Sequence, residues 1–232
     1  MKTDDFAANL QQVQTRIAAA CARAHRPAAA VALIAVSKQQ SAGAIRAVSG
    51  CGQRIFGESY VQEALDKQAQ LIDLALEWHF IGRIQANKTR QIAAHFAWVH
   101  GLSDPAHALR LNDQRPPELP PLNVCLQVNV SGEASKAGVE PAMLPELLAV
   151  CAAQPRLRVR GLMALPAAAT DELVQRQPFA ALRSLRDQFA TPECPLECLS
   201  MGMSDDLEAA ILEGATMVRI GTAIFGTRAQ RG

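Results

Sequence analysis

Aromatic side chains are scarce in this chain, with seven Phe, two Trp and one Tyr among 232 residues. Stacking platforms for nucleic-acid bases need such rings and are not apparent. Neither sign of charge prevails, with 23 Lys and Arg against 22 Asp and Glu. No long basic block stands out, so nucleic acid is not an implied partner. No apolar stretch approaches the roughly 20 residues that span a bilayer. The opening segment, MKTDDFAANLQQVQTRI, is mixed and periodic and lacks the apolar centre of a signal peptide. A cytoplasmic chain with no membrane partner is expected. Metal-binding cysteine pairs are missing too. Cys21, Cys51, Cys125, Cys151, Cys194 and Cys198 form no CxxC, and Pro195 interrupts the nearest pair. With five scattered histidines this is a poor zinc pattern, so no metal is expected. Reduced thiols in a cytosolic core are the simpler reading.

What is present is an alternation of short apolar runs and helical periods. Apolar residues make up 49% of the chain, enough for one sizeable core. Phe6, Leu10, Val13, Ile17 and Ala20 recur three or four apart, which predicts a helix over about 4–25, ended by Pro27. Strands are expected at 31–36, 54–57, 78–82, 98–101, 124–130, 157–163, 196–200 and 216–221. Helices are expected between them, at 41–50, 60–76, 87–96, 105–111, 141–153, 172–189 and 205–213, with a loop at 131–138. The proline-rich stretch 112–121 is the most linker-like. Crossovers of this length imply parallel pairing with helices outside. The expected fold is α/β, a single-domain TIM-type (β/α)8 barrel over 1–232 that presents its site at the strand C-termini. A doubly wound open sheet is the competing architecture. The lack of GxGxxG after the first strand weakens its dinucleotide-binding version.

Lys38 follows the run Val31–Val36 at once, where a barrel presents chemistry. An amine there can form a Schiff base with an aldehyde if its surroundings keep part of it neutral. Taken alone it reads as an exposed lysine. A second cluster, Ser200-Met201-Gly202-Met203-Ser204-Asp205, followed by Arg219-Ile220-Gly221-Thr222, changes that balance. Phosphate needs convergent donors, and glycine-rich turns and hydroxyls supply them without net charge. Ser204 reads as the cap of the following helix, whose acids Asp205, Asp206 and Glu208 must point away from a bound anion. Arg219 and Gly221 share one face of the last strand, and an arginine within an apolar strand needs a partner or ligand. His79 is either a hydrogen-bonded core histidine or a site residue, and Glu58 and Ser59 end the strand beside Lys38. No strong candidate for a second acid–base group faces the lysine, and no catalytic residue is assigned.

These motifs, taken in order, resemble the pyridoxal phosphate homeostasis proteins, whose barrel is similar to the N-terminal domain of alanine racemase. The resemblance rests on Ile34-Ala35-Val36-Ser37-Lys38, Phe56-Gly57-Glu58-Ser59-Tyr60-Val61-Gln62-Glu63, Trp78-His79-Phe80-Ile81-Gly82 with Gln85 and Asn87-Lys88, Gly161-Leu162-Met163, the 200–205 cluster and Val218–Gly226. It implies pyridoxal 5′-phosphate joined covalently to Lys38, and a phosphate held by Ser200, Gly221 and Thr222 with help around Met201 and Gly202. It implies Arg219 at the pyridine nitrogen, where a guanidinium weakens the ring as an electron sink. It further implies a monomer that binds, buffers or delivers the cofactor, with apo-enzymes as possible recipients, and no established turnover. Two positions depart from the family pattern. Ser59 stands where the family usually has Asn, and Gln39-Gln40-Ser41 stands where it has Thr and a nearby Pro. The alternatives are an amino-acid racemase and a barrel for another phosphorylated metabolite.

Overall fold

The computed structural model describes residues 5–132 and 137–226. Eight parallel strands close a barrel in sequence order. They are β1 (Ala32–Val36), β2 (Ile55–Glu58), β3 (Glu77–Phe80), β4 (Trp98–Leu102), β5 (Leu122–Gln127), β6 (Leu157–Met163), β7 (Cys198–Ser200) and β8 (Met217–Ile220). Ala32 pairs with Met217 and Ile34 with Arg219, which closes the ring. The helices α1 (Phe6–Arg23), α2 (Ala42–Gly50), α3 (Val61–Gln70), α4 (Thr89–His95), α5 (Pro105–Gln114), α6 (Leu144–Ala152), α7 (Glu172–Phe189), α8 (Leu207–Leu212) and α9 (Thr222–Phe225) complete the chain.

Alternation along the strands makes two separate cores. Inward positions Ile34, Trp98, Cys125, Met163, Cys198 and Met217 fill the barrel. Outward positions such as Phe56, Val99, Val124, Leu162 and Val218 pack against Ile45, Ile92, Leu111, Leu147 and Phe179 of the helices. Gly161 lets β6 and β7 approach, because a Cβ there would lie 1.8 Å from the Cys198 carbonyl oxygen.

The expected strands all occur, with edges moved by a few residues. Four expectations change. The opening helix ends at Arg23, and His25 turns the chain at φ 53°, before Pro27 is reached. The helix expected over 60–76 stops at Gln70, and Ile72 is 88% exposed, so the apolar period does not continue. The stretch 112–121 is no linker. There α5 runs on to Gln114, and buried Arg115 donates to the carbonyls of Ala93, Phe96 and Pro120. Finally, α9 follows β8 directly, where no helix is expected from sequence. Asp4 of the expected first helix, residues 133–136 of the expected loop and the tail 227–232 lie outside the described residues.

Candidate functional site at the carboxyl end of the barrel

A cavity of about 260 Å³ opens where the strands end, small for the roughly 300–1,000 Å³ of small-molecule sites and suited to a single-ring ligand. Lys38, Ser59, Arg219, Gly221 and Thr222 all line it. Ser204 and Asp205 border it as well, and Val36, Ile81 and Leu165 supply apolar wall. Five of the residues singled out from sequence therefore meet in one place. Asp205 lies on the cavity rim, contrary to the expectation that the acids of this loop turn away.

Lys38 is held in place from outside the barrel. Ser37, the preceding residue, faces outward and is fully buried. Its hydroxyl donates to Glu58 Oε1 at 2.7 Å, and Lys67 of α3 donates to the same oxygen at 2.7 Å. Lys67 also reaches the Ser37 carbonyl at 2.7 Å and Glu63 Oε1 at 2.5 Å. Glu63 in turn accepts from the backbone N–H of Gln39, which sits at φ 63°. A buried ion cluster thus fixes the turn directly after Lys38. Glu58 therefore serves the strand end, and only its neighbour Ser59 reaches the cavity. Burial raises the Glu58 carboxyl above its ordinary value, against the pull of Lys67 and Ser37.

The opposite wall is built by β7, β8 and the loop between β7 and α8. Gly202 adopts φ 95°, and a Cβ there would lie 2.7 Å from that of Ala210. Its carbonyl accepts from Arg219 N at 2.9 Å, which ties the loop to β8. Asp206 caps the loop internally, accepting from Met203 N at 2.5 Å. It occupies the N-cap position of α8, so Ser204 is not the cap predicted from sequence. The Ser204 side is instead presented to the cavity. Gly221 brings backbone close to β1, with its Cβ direction 3.3 Å from the Val36 carbonyl oxygen.

Ser200, Met201, Gly202 and His79 do not line the cavity. Met201 is fully buried in the outer core. Ser200 lies beneath Arg219 and accepts from its Nη1 at 2.6 Å, while Arg219 Nη2 donates to the Ala164 carbonyl at 2.9 Å. Burial pulls the Arg219 guanidinium down to about 10. His79 lies deeper in the barrel, stacked on Trp98 at 5.4 Å between ring centres and 2.9 Å from His100. His100 escaped the sequence reading, although it shares the inward face of β4 with Trp98, two residues away. Among the described residues, no group of His, Cys, Asp or Glu is placed to hold a metal ion.

Comparison with known proteins agrees with the barrel fold. The family model for the alanine racemase N-terminal domain matches residues 4–229. The pyridoxal phosphate homeostasis protein of Pseudomonas aeruginosa is 56% identical over 223 residues, covering 96% of each chain. That of Escherichia coli K12 is 50% identical over 232 residues, covering 97% of each. The chain belongs to the pyridoxal phosphate homeostasis protein family. A solved member-like structure, PipY of Synechococcus elongatus with pyridoxal phosphate bound, has a TM-score of 0.82 at 37% identity and covers 96% of this chain and all (100%) of its own. Alanine racemase of Bartonella henselae shares the fold, with a TM-score of 0.71 at 15% identity, but this chain spans 58% of its length. The homeostasis-protein family thus uses the racemase barrel in a shorter chain.

Proposed function

We propose that the cavity binds pyridoxal 5′-phosphate and that the protein holds and hands on this cofactor as part of pyridoxal phosphate homeostasis. The observation that carries the reading is the meeting of Lys38, Arg219 and the Ser204–Thr222 hydroxyl side around one small cavity. The residues fit the group in three ways. Lys38 offers an amine at the end of β1, where the cofactor's aldehyde would be joined with loss of one water. Ser204, Gly221 and Thr222 offer hydroxyls and close backbone for the phosphate. Arg219, fixed at the cavity wall and donor-only, suits an unprotonated ring nitrogen. Bound there, the cofactor would supply an electrophilic carbon and a conjugated ring. Val36, Ile81 and Leu165 would cover the ring's faces and exclude water.

Retention fits better than turnover. Racemisation needs a second acid–base group across the substrate from the lysine. The titratable residues among the described lining are Lys38, Asp205 and Arg219, and Asp205 stands beside the proposed phosphate donor Ser204. A monomer working in the cytoplasm, with apo-enzymes as recipients, is the setting this reading expects. The names of the relatives and the cofactor in the PipY structure support the choice of pyridoxal phosphate as the ligand. Borohydride reduction after incubation with the cofactor, followed by peptide mapping, tests the linkage. The added mass belongs on Lys38 and disappears in Lys38→Ala. A mass on another lysine, or none, sinks the assignment.

A further inference from the structure

A line of polar side chains crosses the apolar interior of the barrel, and the site described above does not account for it. It begins at Glu77, the first residue of β3, exposed at the end of the barrel away from the cavity. Glu77 Oε1 lies 2.7 Å from His79 Nε2, and His79 Nδ1 lies 2.9 Å from His100 Nε2. His100 Nδ1 lies 2.7 Å from Ser200 Oγ, which lies 2.6 Å from Arg219 Nη1. His79, His100, Ser200 and Arg219 are all buried, and Arg219 ends the line at the cavity.

The chemistry of the partners dictates a single direction of donation. A guanidinium only donates, so Ser200 Oγ accepts from it. At the other end the Glu77 carboxylate only accepts, so the His79 proton sits on Nε2. His79 Nδ1 then accepts from His100 Nε2–H, which leaves His100 Nδ1 to accept the Ser200 hydroxyl proton. Every buried member is satisfied with both rings neutral. Burial favours that state, lowering His79 and taking His100 well below its ordinary value. Protonating His79 would set its Nδ1–H against the His100 N–H across the 2.9 Å contact, and protonating His100 would turn its Nδ1 from acceptor to donor toward Ser200. Aligned links in a low-dielectric interior also strengthen one another.

We propose that Ser200, His100 and His79 are positioning residues for Arg219, holding its guanidinium at the cavity from below through a one-way column anchored on Glu77. The proposal rests on reading the cavity as a pyridoxal phosphate site, and it moves Ser200 from phosphate ligand to support of the ring end. Without the Ser200 hydroxyl, a buried Arg219 N–H loses its acceptor and the His100 ring loses its donor.

Binding of pyridoxal and of pyridoxal 5′-phosphate, followed by absorbance in the wild type, Ser200→Ala and Ser200→Thr, separates the two roles. A phosphate ligand matters only to the phosphorylated aldehyde, whereas a residue that positions Arg219 matters to both. Ser200→Ala should weaken both by the same factor, about tenfold for one lost hydrogen bond to a charged group. Ser200→Thr should restore both. A loss confined to the phosphorylated aldehyde would return Ser200 to the phosphate and overturn the proposal. Unchanged affinities with a lowered melting temperature would reduce the column to a structural feature and overturn it equally. If the wild type binds neither aldehyde, the cofactor reading fails, and the column then stands or falls on nitrogen-15 NMR of the histidine-labelled wild type. There both His79 and His100 should carry the proton on Nε2, and a proton on Nδ1 of either ring would refute the column, whether or not any variant folds.

Discussion

Lys67→Met isolates the buried ion cluster outside β1. Lys67 and Glu58 are 6% and 0% exposed in their side chains and lie 2.7 Å apart. Methionine keeps the length of the stem but removes the cation from Glu58, Glu63 and the Ser37 carbonyl. Glu58 Oε2 already has no hydrogen-bond partner, so the carboxylate would retain only the Ser37 hydroxyl. Breaking one side of a buried pair costs about 3–5 kcal/mol. At about 2–4 °C per kcal/mol for a chain of this size, the melting temperature should fall by about 6–20 °C. The sign of the pH dependence is fixed as well. Burial already raises Glu58, and losing Lys67 removes a force that lowers it, so the folded-state value rises further. A carboxyl raised in the folded state binds more protons there than in the unfolded chain. Stability then falls as pH rises from the ordinary carboxylate range through the raised value. The penalty of Lys67→Met should therefore be largest at neutral pH and shrink in acid. Urea unfolding at about pH 5 and about pH 8 measures it. Adding Glu58→Gln removes the orphaned charge and should recover most of the loss. A penalty below about 1 kcal/mol at neutral pH, or one equal at both pH values, would refute the account of this cluster.

Gly202→Ala places a Cβ at φ 95° and 2.7 Å from Ala210. Strain and overpacking together should cost about 2–4 kcal/mol in urea unfolding and weaken cofactor retention through the displaced Ser204 loop. The thiols should divide by burial. Exposed Cys51 reacts with a maleimide in the native protein, while buried Cys125 and Cys151, the latter pushed up to about 12, react only on unfolding, as mass spectrometry of the labelled peptides would report.

The strands were legible because their side chains carry the period of a barrel: Val31–Val36 and Val124–Leu126 are apolar throughout, as strands buried on both faces must be. Lys38, Arg219, Gly221 and Thr222 could be placed by counting from strand ends. Ser200 and Ser204 could not be told apart that way. Both hydroxyls flank the same glycine, and which one meets the cavity depends on the left-handed turn at Gly202 and on Asp206 drawing the loop inward at Met203. The ion cluster was hidden for another reason. Glu58 and Lys67 are nine residues apart and Ser37 is 21 from Glu58, so only the packing of α3 on β1 and β2 brings them together. Arg115 was hidden by the prolines that follow it, which look like a linker in sequence, whereas in the fold Pro120 presents its carbonyl to the buried guanidinium.

Two buried polar systems thus approach the cavity from different layers of the barrel. The ion cluster acts from outside, on the backbone that follows Lys38, and its energetic weight lies in charges that cannot be left unpaired. The histidine column acts from inside, on the Arg219 side chain, and its weight lies in directed donors and acceptors between neutral groups. The two share no residue, so the lysine and the guanidinium are held independently of one another. A site that must swing a proton between two faces of a substrate benefits from mobile acid–base groups near neutrality. Here the Arg219 guanidinium and the backbone on either side of Lys38 are fixed by buried partners, and the imidazoles behind the cavity are held neutral by burial. That arrangement suits the proposed role, in which a cofactor is kept in one pose until it leaves, better than it suits repeated proton transfer.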